Sequence, residues 1–169
     1  AIHWSAKKSS SDNISETVLR IKNLVLSQGT SAFNQINKEL NTKSPKSFKV
    51  KASDISKSDL LVSDKLKQSI LHSAANIKTI CENDKKGFIG SPVETTKGIK
   101  VWKEFRPIDS VGIYVPGGSA PLISSLLMQL IPATVAGCKN IIICTPPNKN
   151  GWVAPEILWI AKIYDIKKI

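Results

Sequence analysis

The sequence predicts an α/β protein, in which a helical N-terminal segment is followed by the start of a parallel βαβα sheet. Residues 1–105 are polar and rich in Lys and Ser, whereas residues 106–169 are markedly more apolar. Within the second stretch, short apolar runs alternate with helix-like segments. We therefore expect two regions: a helical region with a short strand pair over residues 1–105, and an incomplete dinucleotide-fold-like βαβα unit over residues 106–169.

Length and composition are those of one ordinary globular domain. The chain has 169 residues, of which 41% are hydrophobic and 22% charged, and this balance excludes wholesale disorder. No apolar run reaches the roughly 18–20 residues of a membrane span, and the polar N-terminus lacks the apolar core of a signal peptide. The three cysteines are too scattered for a disulfide framework or a zinc knuckle. We expect a cytoplasmic protein with no membrane partner.

The net charge of +11 comes from 24 basic residues set against 13 acidic ones. All of the basic residues except Arg20 and Arg106 are Lys, and they are spread along the chain. Specific readout of bases and phosphates relies heavily on Arg, and no aromatic residues interleave with the Lys as a single-strand-binding surface requires. We expect no nucleic-acid partner. The alternative, a basic nucleic-acid binder, predicts an affinity that falls steeply with salt.

Apolar spacing and turn residues predict the elements of the first region. A helix that begins near Ile14 closes at Gly29, and a second helix runs from Thr30-Ser31 to Leu40. Ser63-Asp64 caps a longer helix with one apolar stripe. Weaker signals predict a possible strand at Phe48–Val50, a short helix capped by Ser53-Asp54, and a strand pair formed by Thr96 and Ile99–Phe105.

The second region alternates strand and helix. Val111–Val115 and Ile141–Cys144 are buried-strand runs, and between them a helix runs from Ser119 to about Ala136 with Pro132 as a kink or break. A final helix covers about Val153–Ile163. This pattern is the beginning of a doubly wound, Rossmann-like sheet, and it stops where a third parallel strand is expected.

The junction between the first strand of this region and its helix is the most informative local feature. Tyr114 lies at the carboxyl end of the strand, and Pro116-Gly117-Gly118 follows it. Open α/β sheets bind ligands outside the carboxyl ends of their strands, and the start of a helix offers N–H donors to an anion. The junction is neither a G-x-G-x-x-G fingerprint nor a P-loop, so a nucleotide site and a simple turn both remain open.

Catalytic and metal-binding constellations are sparse in the sequence. His3 and His72 are far apart, and neither has a Cys, Asp or Glu at metal-ligand spacing. Cys138 and Cys144 flank an apolar strand, where Cys usually behaves as a small hydrophobe. We therefore predict no catalytic residue and no metal ligand.

A dense, collinear motif pattern in the second region resembles one family closely. Arg106-Pro107-Ile108 is followed by Val111–Leu122, which reads VGIYVPGGSAPL, and the pattern continues through Ala136-Gly137-Cys138 and Cys144-Thr145-Pro146-Pro147. Over about sixty residues this sequence resembles histidinol dehydrogenase. The first region resembles the family more loosely, with Gly29-Thr30 where the family usually has Gly-Asp.

The resemblance implies a zinc- and NAD-dependent enzyme of histidine biosynthesis, which oxidises L-histidinol to L-histidine in two steps through the aldehyde. It also implies a homodimeric, cytosolic bacterial protein. Carried over to this sequence, Tyr114 is the residue that contacts NAD, and Pro116, Gly117 and Gly118 shape the same loop. Family members are more than twice as long, and their zinc ligands, catalytic Glu-His pair and remaining NAD motifs follow the end of this chain.

Two interpretations follow from the resemblance. In the first, the chain is a truncated N-terminal part of a histidinol dehydrogenase, inactive alone, and a complementing C-terminal chain restores the whole site. The expected partner is a second copy of the chain, in a homo-oligomer, or that C-terminal chain. In the second, it is a non-catalytic remnant that binds a nucleotide or a protein and self-associates. NAD titration and mass in solution distinguish the two interpretations.

Overall fold

The computed structural model of the protein describes residues 8–39, 47–87, 90–117, 121–148 and 151–169. The chain divides into two compact units. Residues 8–39 and Gly151 belong to the first, and the described residues of 47–148 and 152–169 belong to the second. Contacts between residues define these two units, whereas the boundary expected between residues 105 and 106 comes from a change in amino-acid composition. That boundary stays a prediction.

The first unit is helical. Helix α1 covers Lys8–Gln28, a short 3-10 turn covers Gly29–Ser31, and helix α2 covers Ala32–Glu39. Gly29 ends α1 with a φ of +59°, a conformation that favours glycine, as the sequence predicts. The guanidinium of Arg20 donates hydrogen bonds to the carboxylate of Glu39, one of them 2.8 Å long, and so joins the two helices. Leu40, the expected end of the second helix, lies outside the described residues.

The second unit opens with helices α3, Ala52–Lys57, and α4, Asp64–Gly87, joined through a 3-10 turn at Ser58–Leu60. The backbone N–H of Leu66 donates to Oγ of Ser63 at 3.4 Å, which confirms Ser63 as the cap of α4. Phe48–Val50 is not a regular strand, contrary to expectation.

A hairpin follows α4, as the strand-pair signal predicts. Strand β1, Val93–Thr96, pairs antiparallel with strand β2, Ile99–Val101. Gly98 makes the turn with a φ of +86°. The second strand ends at Val101 rather than continuing to Phe105.

The remainder of the second unit is the expected βαβα pattern. Its elements are strand β3, Ser110–Tyr114; helix α5, Ile123–Ala136; strand β4, Asn140–Cys144; and helix α6, Pro155–Ile163. Strands β3 and β4 pair in parallel from Ser110 opposite Asn140 to Tyr114 opposite Cys144. Ile113 and Ile143 on the strands, Leu126 and Leu130 on α5, and Ile160 on α6 are almost fully buried in one core.

Helix α5 begins later than expected, at Ile123, because Leu122 has a non-helical backbone with φ −83° and ψ 70°; the expected start, Ser119, lies outside the described residues. Of the two alternatives expected at Pro132, a kink or a break, the break is absent, since the helix continues through the proline. Leu130 and Ile131 before the proline are buried in the core, and tertiary packing of this kind outweighs the loss of one backbone hydrogen bond.

Backbone hydrogen bonds extend the sheet beyond its two regular strands. Val115 donates to the carbonyl of Cys144 at 2.8 Å, whereas Ile143 donates to the carbonyl of Lys168 at 3.0 Å. Successive backbone groups of a strand point to opposite edges, so residues 168–169 lie beside β4 on the edge away from β3. Val50 in turn donates to the carbonyl of Ile169 at 3.0 Å. The lateral order is therefore β3, β4, residues 168–169, and then Val50.

No helix within the described ranges is long and apolar enough to cross a membrane.

Candidate functional site at the carboxyl edge of the sheet

The carboxyl ends of β3 and β4 bring two exposed side chains together. Tyr114 and Cys144 are direct partners in the parallel register, and their side chains therefore lie on the same face of the sheet. The phenol side chain of Tyr114 is 60% exposed, and Cys144 is a free, exposed cysteine. An exposed aromatic ring at this edge presents a flat apolar surface on which a planar ligand can stack.

The loops that follow the two strands touch each other. A Cβ built on Gly117 would lie 2.6 Å from Cγ of Pro146, a distance that real Cβ atoms do not reach. The backbone at Gly117 therefore approaches the Pro146 ring more closely than any residue with a side chain could. Gly117 fixes the shape of this edge.

Three of the four predicted cofactor residues are described, and they are neighbours. Tyr114 ends β3, and Pro116 and Gly117 begin the loop that leads toward α5. Pro116 is half-buried and Gly117 is exposed. Gly118 lies outside the described residues.

Sequence reasoning missed one residue of this edge, Gln129, and one contact, that of Pro146 with Gly117. Gln129, on α5, donates from Nε2 to the backbone carbonyl of Tyr114 at 3.3 Å and to that of Ser125 at 3.0 Å. It therefore ties the end of β3 to the helix. A lone amide within the apolar run of α5 was the available signal. Pro146 belongs to the Thr145–Pro147 loop, which the sequence places at the same end of the sheet, but its contact with Gly117 was not predicted because that contact depends on how the two loops pack.

The start of α5 adds backbone donors near the same loop. Leu122, at the N-cap position, makes no capping hydrogen bond through its side chain. The N–H of Ile123 is already bonded to the carbonyl of Pro121 at 3.0 Å, and the first bond within the helix is that of Leu126 to Leu122, so the N–H groups of residues 124 and 125 are the donors in question. The first N–H groups of a helix have no partner within the helix and attract anions. This end of the sheet could therefore hold a negatively charged group.

Catalytic groups do not gather at this edge in the part of the chain that the structure describes. No three His, Cys, Asp or Glu residues among the described ones lie close enough together to hold a metal ion. His72 lies on the exposed surface of α4, where its Nε2 is 3.4 Å from Nδ2 of Asn76. His3 lies outside the described residues.

Three groups among the described residues of the second unit have shifted pKa values, and none of them belongs to this edge. The hydrogen bond with Glu104 is the main cause that raises the pKa of the Arg106 guanidinium. Hydrogen bonding from Lys162 is the main cause that lowers the pKa of the Asp59 carboxyl group. Burial raises the pKa of the Tyr164 phenol.

A parallel sheet with helices packed on one face, and with a glycine loop and an exposed aromatic ring at its carboxyl edge, defines an α/β protein of the open-sheet, ligand-binding class. Within that class, the chain belongs to the histidinol dehydrogenase family, whose family model matches residues 5–169.

Relatives and a solved structure agree with this membership. Histidinol dehydrogenase of Bacteroides thetaiotaomicron is 37% identical over 158 residues, which cover 94% of this chain and 36% of the relative. The enzyme of Escherichia coli K12 is 35% identical over 161 residues, covering 95% of this chain and 36% of its own length. The crystal structure of histidinol dehydrogenase from Elizabethkingia anophelis superposes with a TM-score of 0.82 at 36% identity, covering 99% of this chain and 37% of that one. The chain thus spans little more than a third of its relatives and corresponds to their N-terminal portion.

Proposed function

We propose that this chain provides the N-terminal portion of an NAD-dependent histidinol dehydrogenase and forms one wall of its nucleotide site. The observation that carries the proposal is the contact of Gly117 with Pro146 beside the exposed ring of Tyr114. That contact builds a shaped edge where open α/β sheets bind their ligands, in a chain that belongs to the histidinol dehydrogenase family.

The residues at this edge fit a dinucleotide. Tyr114 offers an aromatic face, Pro116 and Gly117 form a loop that backbone atoms can approach closely, and the start of α5 offers N–H donors to phosphate oxygens. Bound NAD would accept the hydride that the alcohol loses. The role of this chain is then to bind and orient the nucleotide, with Gln129 holding the carbonyl of Tyr114 in place.

The described residues do not fit a catalytic zinc ion, since no suitable ligand cluster lies among them. We therefore derive no step through zinc, and we assign the proton-transfer groups to the part of the enzyme that lies beyond this portion. The chain alone should produce no NADH from histidinol and NAD, because hydride removal needs a base and charge stabilisation. A complementing C-terminal chain should restore activity. Homodimer formation and a cytoplasmic location remain part of this proposal.

Calorimetric titration of NAD into the purified chain tests the proposed site. Replacing Tyr114 by Ala should weaken NAD binding by roughly two- to tenfold, the equivalent of about 0.5–1.5 kcal/mol for loss of an aromatic contact. Trp102→Ala is the matched control, because Trp102 is 59% exposed, close to the 60% of Tyr114, and lies beside the hairpin. Equal affinity of the Tyr114→Ala variant and the unmodified chain would remove Tyr114 from the site.

One observation supports the alternative, a non-catalytic remnant that self-associates. Apolar side chains on α1, including Ile14, Val18 and Leu26, are 60% exposed or more, and surfaces of this kind often mark an interface. The mass in solution, measured by analytical ultracentrifugation over a range of concentrations, tests self-association. Recovery of NADH formation after addition of a C-terminal chain would instead favour the first interpretation, in which this chain is the N-terminal portion of the enzyme.

A further inference from the structure

The loop between β4 and α6 carries an exposed tryptophan at the carboxyl edge of the sheet. Three tryptophans lie among the described residues, and Trp159 is 4% exposed in the buried core. Trp102 and Trp152 are 59% and 64% exposed. Trp102 directly follows β2 of the hairpin, whereas Trp152 lies in the loop that leaves the carboxyl end of β4. Trp152 is therefore an exposed tryptophan at the edge where open α/β sheets bind their ligands.

The backbone of Trp152 is held in place on both sides. The N–H of Asn148 donates to the carbonyl of Trp152 at 2.8 Å, and the N–H of Trp152 donates to Oδ1 of Asn148 at 3.0 Å. Val153 and Ala154, the next two residues, pack against the buried core. Single exposed aromatic residues are common on protein surfaces, but the backbone of this one is fixed before any ligand arrives. A preorganised contact of this kind lowers the entropy that binding must offset.

Trp152 also lies close to the contact between Gly117 and Pro146. Asn148 follows Pro146 by two residues, and it bonds to Trp152 across the loop. Two residues span at most about 7 Å, and residues bonded in this way lie about 5.5 Å apart, so the Cα atoms of Trp152 and Pro146 are within about 13 Å of each other. Pro146 in turn meets Gly117, in the loop that leaves Tyr114. The touching loops therefore connect two exposed aromatic side chains, Tyr114 and Trp152.

The chemistry of NAD matches two separated aromatic surfaces. The dinucleotide carries adenine and nicotinamide rings at opposite ends of a ribose–pyrophosphate chain, and aromatic side chains stack on bases of any kind because every base has a π-face. The nicotinamide ring must meet the alcohol beside the proton-transfer groups, which the proposed function assigns to the part of the enzyme beyond this portion. Adenine takes no part in hydride transfer and needs only a flat apolar surface, which an exposed indole provides.

We propose that Trp152 stacks on the adenine ring of NAD, so that this chain by itself binds the AMP half of the dinucleotide. The inference rests on the proposed function and assigns to Trp152 a contact with one end of the cofactor. Three observations on this chain support it: the exposure of the indole, the two hydrogen bonds that hold its backbone, and its distance from the touching loops.

Titration of AMP and of NAD into the purified chain of 169 residues tests the contact. Loss of one base–aromatic stack should raise the dissociation constants of both ligands at least about fivefold in the Trp152→Ala variant. Trp102→Ala removes an indole of nearly equal exposure, 59% against 64%, and is the matched control that should leave both constants unchanged. Calorimetry measures the affinities, and circular dichroism checks that each variant is folded.

A second variant separates a stacking contact from a structural role. Trp152→Phe keeps a flat aromatic ring, so its affinity for AMP should stay within about threefold of that of the unmodified chain. AMP should quench the tryptophan emission of the unmodified chain, because a stacked base lies directly against the indole. This quenching should be lost in Trp152→Phe although AMP still binds. Quenching that persists in Trp152→Phe would place the base against another tryptophan and overturn the inference.

The outcomes separate this inference from the proposed function. If NAD binds but Trp152→Ala leaves its affinity unchanged, or if NAD binds while AMP does not, then Trp152 is not the adenine platform and the proposed function still stands. AMP binding that depends on Trp152, without any NADH from histidinol and NAD after a C-terminal chain is added, would support the stacking contact and contradict the proposed function. Absence of both AMP and NAD binding by the folded chain would overturn both.

Discussion

Gly117 determines the shape of the carboxyl edge through a single contact with Pro146, and the proposed NAD site depends on that contact. A methyl group at this position would lie 2.6 Å from Cγ of Pro146, so the Gly117→Ala variant must move one loop away from the other. We expect weaker NAD binding together with a modest loss of stability, of about 1–3 kcal/mol for overpacking. Calorimetry and urea unfolding measure the two effects. Gly90→Ala is the control, since a Cβ there meets nothing within 4 Å; equal effects of both substitutions would contradict the role of the contact.

Asp59 is a second residue whose interactions can be tested, by measuring how the stability of the protein depends on pH. Its carboxylate accepts hydrogen bonds from Nζ of Lys162 and, at 2.8 Å, from Nε1 of Trp159. The Lys162 bond is the main cause that lowers the pKa of Asp59 below its ordinary value of 3.8. A lowered pKa in the folded state adds stability above the unfolded pKa, and this stability is lost as the pH falls through the folded pKa.

The Asp59→Asn substitution should therefore destabilise the protein at neutral pH and matter progressively less as the pH falls below about 4. Urea unfolding followed by tryptophan fluorescence at pH 7 and pH 3 gives the two differences in unfolding free energy. Asp84→Asn, at an exposed position on α4, should show little effect at either pH. A destabilisation by Asp59→Asn that is the same at both values would show that packing, not charge, holds this site.

The C-terminus of α5 offers the clearest test of a helix boundary. Gly137 has a φ of +96°, and its N–H and that of Cys138 bond to carbonyls of the last turn, at Ala133 and Thr134. A Cβ at Gly137 meets only Cγ of Pro107, at an ordinary distance of 3.8 Å. A side chain there would therefore lower the stability through the strained left-handed backbone and not through a steric clash. Gly137→Ala should lower the unfolding free energy by about 1–2 kcal/mol.

Asn tolerates the left-handed conformation better than Ala does, so Gly137→Asn should cost less than Gly137→Ala. The control is Gly87→Ala at the end of α4, where φ is not in the left-handed range and the space is empty; we expect it to leave the stability unchanged or raised. Thermal unfolding of the three variants checks this order, and equal losses for Ala and Asn would refute the conformational explanation.

Helices and strands could be predicted from the sequence where a local pattern of apolar and turn residues agreed with the way the segment packs in the fold. β4 and α6 were predicted within two residues because an apolar run bounded by turn residues defines each of them. The start of α5 was not, because Pro121-Leu122 extends the loop before Ile123 in a way that side-chain type does not reveal. Phe48–Val50 carried a strand pattern, but the backbone of Lys49 bonds locally with Oγ of Ser47. The bond from Val50 to Ile169 depends on a residue far away in sequence. The position of Tyr114 at the carboxyl end of a strand was predictable from sequence, whereas the contacts of Gln129 and Pro146 were not.

The division of the chain into compact units depends on how the helices pack, and the amino-acid composition does not reveal that packing. Residues 52–87 have the polar composition of the N-terminal region, yet α4 packs on α5, and Ile70 and Ala74 join the same buried core as β3 and β4. A helix with a narrow apolar stripe looks the same in sequence whether it packs within its own region or on a distant helix. Composition therefore indicates an α/β chain but not the border between its units.

The composition of the core predicts which part of the chain folds by itself. Every member of the buried core cluster lies between Val62 and Ile166, whereas Ala32 is the one buried hydrophobic residue among those whose burial is described before residue 40. Stability scales with the apolar area that folding removes from water, so a chain of residues 47–169 should keep a cooperative urea transition. The emission of Trp159, which is 4% exposed, should shift to the red across that transition.

A peptide of residues 1–46 should show no cooperative transition, since short helices without a shared core are marginal in water. Removal of residues 1–46 also tests whether the buried core between Val62 and Ile166 accounts for the stability of the chain. If residues 47–169 lose the cooperative transition while the full chain retains it, then the helices before residue 40 must contribute stability that the buried residues do not account for. A retained transition would instead establish that the carboxyl edge at Tyr114 belongs to a unit that folds without the N-terminal helices.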